Sequence, residues 1–129
     1  MGMKWAALPA DPVTIGVACS DETTDLATGT GVVTFRMPHA MTVTGVRASV
    51  TTAPTGSTII VDINEAGTSI LGTKLSIDAT EKTSTTAASA ATITDSALAD
   101  DAEITIDIDQ VGSTIAGAGL KVWLIGTKA

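Results

Sequence analysis

The chain has 129 residues, a formal charge of −7 from 7 Lys and Arg against 14 Asp and Glu, and a single cysteine. That length suits one domain able to remove roughly two thirds of its unfolded surface from water. The scarcity of cations argues against a surface that tracks phosphate backbones, and one cysteine rules out an intrachain disulfide. With 23 threonines, no tyrosine and one phenylalanine, the β-branched quota is met by Val, Ile and Thr, a composition that favours strands with small interdigitating side chains. No apolar run approaches the roughly 20 residues of a spanning helix. Pro9 and Pro12 break the amino terminus too soon for a signal peptide, so the expected location is the cytoplasm of the cell that makes it, unless it leaves inside a particle.

Residues 1–12 show no alternation and read as an arm outside the folded domain, which is expected to span 13–129. Within the arm, Trp5 stands beside Ala6, Ala7 and Leu8. This apolar tip either folds back on its own domain or docks on a neighbouring subunit.

Val13 to Ala18 reads as a first strand, followed by a polar loop from Cys19 to Asp25 whose side chains bond their own backbone. Cys19 is expected to be a small core residue. Val32 to Arg36 is a second strand, closed by Met37-Pro38 at an edge or corner, with His39 beyond it at the surface. In Met41 to Thr51, Met41 and Val43 are out of phase with Val46, Ala48 and Val50, which predicts a bulge at Gly45 that swaps the inward face and lets the strand pass between two sheets.

Ala53-Pro54-Thr55-Gly56 is a turn, expected to join the Met41 strand to a paired strand through Ile59, Val61 and Ile63. Glu65-Ala66-Gly67 then makes a hairpin loop of three to five residues to Thr68–Leu71. Lys74 to Asp78, with Leu75 and Ile77 inward, is expected to pair back across Gly72. Residues 79–91, ATEKTSTTAASAA, are rich in alanine, yet their Ser and Thr compete with helical backbone bonding and no apolar stripe holds a helix down. An extended, exposed segment of small side chains is predicted.

Thr92 to Thr94 is a short strand, and Asp95 to Asp101 a turn with room for one helical turn capped by Asp95. Ala102 to Gln110 alternates cleanly, Ile104, Ile106 and Ile108 inward. Val111 to Gly119 is a flexible loop of a length that crosses the end of a sandwich. Leu120 to Thr127 is apolar on both faces, as a central or covered strand should be. Eight or nine short strands at this spacing predict an all-β antiparallel sandwich of jelly-roll type.

Chemistry is sparse. His39 has no partner, no Gly-x-Ser-x-Gly is present, and Cys19 has no base in view, so no catalytic residue is assigned and an enzyme is not expected. Phosphate-cradling motifs are missing, and no cofactor is predicted. Asp107 and Asp109 share a strand face that Asp62 joins if the strands are neighbours, which is oxygen chemistry suited to calcium. The spacing and glycine of a dedicated calcium loop are absent, and alternating acids also serve simply to keep an outer face wet. Glycan platforms usually need flat aromatics, and only Trp5, Trp123 and Phe35 exist, the last two within strands.

The run from ACSDETT through TFRMPHAMTVTGVRASVTTAPTGSTIIVDINEAGTSIL, TKLSIDATEKTSTTAA and ADDAEITIDIDQVGSTIAGAGLKVWLIGT resembles a module of virion proteins of tailed bacteriophages. The likeness covers about residues 15 to 127. It implies a β-sandwich displayed on the particle, either decorating the head shell or forming the head of a fibre, and brings no catalytic residues. One small domain with a short arm suits a decoration or cement subunit, bound to the major capsid protein as a homotrimer. The alternative is a fibre tip binding a host receptor or glycan. Contacts are expected through Trp5 and Leu8 of the arm and through Thr83, Thr85, Thr86, Ala87 and Ala88.

Overall fold

The computed structural model describes residues 11–129; Trp5 and Leu8 lie outside the described residues. The chain runs as β1 (Pro12–Ala18), β2 (Gly29–Arg36), β3 (Met41–Ser49), β4 (Ile59–Glu65), β5 (Thr68–Ser69), β6 (Leu71–Thr73), β7 (Leu75–Ile77), β8 (Thr92–Ile93), β9 (Ala97–Leu98), β10 (Glu103–Gln110) and β11 (Lys121–Lys128), with one 3-10 turn at Ser84–Thr86. These eleven exceed the eight or nine expected because the stretch from Thr68 to Leu98 is cut into pieces of two or three residues. Pro12, assigned to the arm from the sequence, is the first residue of a strand.

One sheet has the order β1-β11-β3-β9, and the other β2-β10-β4-β5, with β7 also on β4. The antiparallel pairs β1·β11, β2·β10, β3·β9 and β4·β5 are nested, the first strand with the last and each following pair inside the one before. This is the connectivity of a jelly roll. The short β6·β8 ribbon pairs with neither sheet, though Leu71 and Ile93 pack on the core.

The core forms where the period of two points apolar side chains at the facing sheet. Ile59, Val61 and Ile63 of β4, Ile104, Ile106 and Ile108 of β10, and Val122 and Leu124 of β11 meet there, all buried, with Met41, Val43 and Ala48 of β3. In β3 the register against β11 slips between Val43 and Gly45, so that one extra residue restores the inward phase of Val46 and Ala48. The predicted bulge is therefore present. It does not carry the strand between sheets, because β3 pairs β11 on both sides of the slip.

Three further expectations are corrected. β3 and β4 are not a hairpin: they belong to opposite sheets, and residues 50–58 cross the end of the sandwich. Alternation reports a buried face and says nothing of which strand lies alongside. The Lys74 strand pairs β4 through Ile59↔Ile77 and Val61↔Leu75, not the strand across Gly72. Asp95 caps no helix; its side chain accepts from Ala97 N at 3.2 Å, and β9 follows at once.

The loop from Val111 to Gly119 does cross from β10 to β11, as expected, but it is tied down. Thr55 N donates to Ile115 O at 2.9 Å, Thr51 N to Ala118 O at 2.9 Å, and Leu26 N to Gly117 O at 2.9 Å. Gly117, Ala118, Gly119 and Leu120 are buried, so three crossings are stitched into one floor at this end.

Candidate contact groove and polar cluster

Beyond Met41 and Thr42, the edge of β3 outgrows β9. Residues 82–84 take over that edge: Val50 N donates to Lys82 O at 3.0 Å, and Ala48 N to Ser84 Oγ at 2.9 Å. Thr83 caps the turn at Ser84–Thr86 by accepting from Thr85 N at 3.2 Å. Ala88 N donates to Asp78 Oδ2 at 2.9 Å, and the Thr86 hydroxyl donates to Glu81. The segment forms no α-helix, as expected, but it is not extended either: it bends through the 3-10 turn, where the Thr83 hydroxyl takes the Thr85 N–H. Thr85, Thr86 and Ala88 are exposed, while Thr83 and Ala87 are half-buried.

Between this segment and the outer face of β3 lie two adjoining hollows. One, of about 530 Å³, reaches from Gly45 and Arg47 to Leu75, Thr85 and Ile93. The other, of about 310 Å³, is lined by Arg47, Thr83, Thr85, Trp123 and Ile125. Arg47 and Thr85 belong to both, so the hollows form one open groove with a single cation at its waist. Among the described residues Arg47 has no carboxylate within ion-pair distance. Trp123 and Ile125 of β11 are half-buried on this face. A Cβ at Gly16 would stand 2.8 Å from Trp123 Nε1, so the glycine is where the indole lies over β1. Two of the predicted contact residues, Thr83 and Thr85, thus line the groove; Thr86, Ala87 and Ala88 lie beside it. Arg47 was not singled out from sequence, because one arginine alternating along a strand looks like any solvated position.

The acids considered for calcium are brought together by the opposite sheet. Asp62 of β4 stands in register with Asp107 of β10. Asp62 is buried and accepts from Ser69 Oγ at 2.6 Å and Ile63 N at 2.9 Å. Asp107 accepts from Gly31 N at 2.7 Å and Asn64 Nδ2 at 3.0 Å. Lys74 Nζ lies 2.5 Å from Asp109 and 3.7 Å from Asp62, and the Asp109 bond, with both negative charges, holds its pKa above the usual lysine value. An ammonium thus sits between two of the three carboxylates, and the third is committed to N–H donors. Among the described residues no three His, Cys, Asp or Glu side chains are placed to hold a metal ion. The cluster is a polar clasp tying β2, β4, β5 and β10 through side chains.

His39 is half-buried, its Nδ1 2.9 Å from Ala40 O. Cys19 is buried as expected, and burial pushes its thiol up to about 11. At the stitched end Glu22 accepts from Lys121 and from the Thr51 hydroxyl, and its pKa is lowered, chiefly by the lysine. No helix among the described residues is long and apolar enough to cross a membrane. Compared with family models, with curated proteins and with solved structures, the chain matches none.

Proposed function

We propose that the protein is a structural subunit of a bacteriophage virion, a decoration or cement protein that binds the major capsid protein on the head shell as a homo-oligomer, a trimer in the first instance, and stabilises the shell without catalytic turnover. The sequence resemblance motivates this reading. The observation that carries it is the groove: a wall of small hydroxylated side chains, already fixed by hydrogen bonds to β3 and to Asp78, beside an exposed Arg47. A surface ordered in advance loses little entropy when a partner lands on it. Its openness fits a partner surface better than a small enclosed ligand.

The test is add-back to phage particles prepared without the protein. Wild type should bind them and raise their resistance to heat or low salt. Arg47→Glu and Thr85→Arg should keep the melting temperature of the free protein within about 2 °C and lose at least tenfold in binding. Absence of wild-type binding to shells rejects the reading.

A second reading draws on Trp123. An indole, an arginine and hydroxyls around one hollow are also the elements of a glycan site, as on a fibre tip that meets a host receptor. In that case purified protein adsorbs to host cells and blocks infection, and Trp123→Ala abolishes both.

A further inference from the structure

Among the described residues β1 has a strand on one side only, β11. Asp11 O accepts from Lys128 N and Cys19 N donates to Leu120 O, both at 2.8 Å. The odd-numbered residues of β1 therefore bond to β11, and the ladder's alternation turns the N–H and C=O groups of Thr14, Gly16 and Ala18, and the C=O of Pro12, toward the open edge. Pro12–Ala18 carries no charged side chain, and its register against β11 runs without a slip. Sheets normally blunt such an edge with lysine, a bulge or proline, and here only Pro12, at the very end, does so.

The other edges are defended. β2 ends in the charged Arg36, and its register slips beyond Val33. β5, β7 and β9 are two or three residues long. The core is also least covered at β1 and β2, the edge strands joined by residues 19–28. Val13, Ile15 and Val17 of β1 and Val33 and Phe35 of β2 pack on the core but remain half-buried. Backbone and apolar surface are thus left open along the same strand.

We propose that β1 pairs antiparallel with β1 of a second copy of this chain, joining the two four-stranded sheets into one across a two-fold axis at Ile15. In that register Ile15 faces its own counterpart and Val13 faces Val17 of the second copy. These β-branched pairs stand at the close, non-bonded positions of the ladder, where cross-strand side chains interact best. Thr14 and Gly16 exchange backbone bonds with Gly16 and Thr14 of the second copy. Charge selects the occupant. In a chain of net charge −7, this edge is one along which a like-charged copy approaches without setting carboxylates face to face.

This contact is independent of particle binding, and its test needs no particle. The full-length chain should show an even-numbered assembly by sedimentation equilibrium, a dimer, or a hexamer where the proposed trimer also forms in solution. Thr14→Pro, which deletes an N–H that bonds nothing among the described residues, should halve the mass without loss of the far-ultraviolet β signal. If that variant fails to fold, Thr14→Lys with Ala18→Lys should give the same halving by charge. On a Cys19→Ser background, Ile15→Cys should oxidise to a covalent dimer and Val13→Cys should not. A monomeric wild type, as when residues 1–10 of the same chain cover β1, overturns the proposal. So does a mass that the edge variants leave unchanged.

Discussion

At the scale of single residues, the turn between β4 and β5 shows where the sequence is locally suboptimal. Asn64 pairs Ser69 and Glu65 pairs Thr68, so the loop has two residues, Ala66 with φ 49 and Gly67 with φ 84. This is tighter than the loop expected from Glu65-Ala66-Gly67. A two-residue hairpin loop with both φ values positive matches the twist of its strands and is served best by Asn-Gly. Alanine there sets its Cβ against the following carbonyl, at a cost of about 1 kcal/mol. Ala66 is exposed, and its N–H donates to Glu103 O at 2.9 Å, which Asn can also do. Ala66→Asn should raise stability by about 1 kcal/mol and the melting temperature by about 3 °C. A thermal melt that moves down would refute the turn geometry. Gly126 has a different reason, since a Cβ there would meet Thr42 O at 1.9 Å, where the bulged β3 presses its backbone against β11.

At the scale of elements, the polar clasp shows why side chains on an outer face need not be mere wetting. Asp62, Asn64, Thr105 and Asp107 share the outer face of β4 and β10, and Asn64 Nδ2 donates to Asp107 and, at 3.3 Å, to Thr105. Lys74 reaches the cluster from the link between β6 and β7, so a chain segment outside the sheet is anchored by charge. The pair with Asp109 is partly exposed, and a bridge in that setting contributes about 0.5–1 kcal/mol. Lys74→Met should remove about that much at neutral pH in low salt, and the difference from wild type should shrink in 1 M salt as screening shortens to about 3 Å. A salt-independent loss would assign the effect to packing instead. Strand alternation made the long elements legible, because burying one face leaves a trace at every second residue, as Ile104, Ile106 and Ile108 do. Adjacency leaves no such trace. That is why Asp62 could be suspected of joining the face of Asp107 and Asp109 while the lysine between Asp62 and Asp109 could not be foreseen. It is also why residues 82–84 gave no hint of standing in for a strand beside β3.

At the scale of the whole molecule, nesting places the first described strand beside the last and spreads titrating groups over its ends. Asp21 is held below the usual carboxylate range by Thr24 and Thr23 N–H groups and the Thr24 hydroxyl, and Glu22 by Lys121 and Thr51. A carboxyl lowered in the fold adds stability that is fully present above its ordinary pKa, 3.8 and 4.5 here, and is lost as pH falls below those values through the lowered ones. Glu65 runs the other way: burial raises its pKa, with Asp95 adding to the shift. Its ionisation therefore costs stability as pH rises past 4.5. On the alkaline side, Lys74 adds stability below 10.5 that is lost above its raised pKa. Cys19 keeps its proton to about 11 in the fold but loses it near 9.0 once unfolded, so its neutral burial becomes a liability above pH 9. A plateau of melting temperature between about pH 5 and 9 with two falling limbs follows. Cys19→Ala should flatten the limb from 9 to 11. Glu65→Gln, which keeps an acceptor for the Ala99 N–H at 2.9 Å, should raise the melting temperature at pH 7, at about 3 °C per kcal/mol gained, and make no difference at pH 4. A Glu65→Gln gain equal at both pH values would mean that the charge is solvated, and that packing against Asp95 sets its cost.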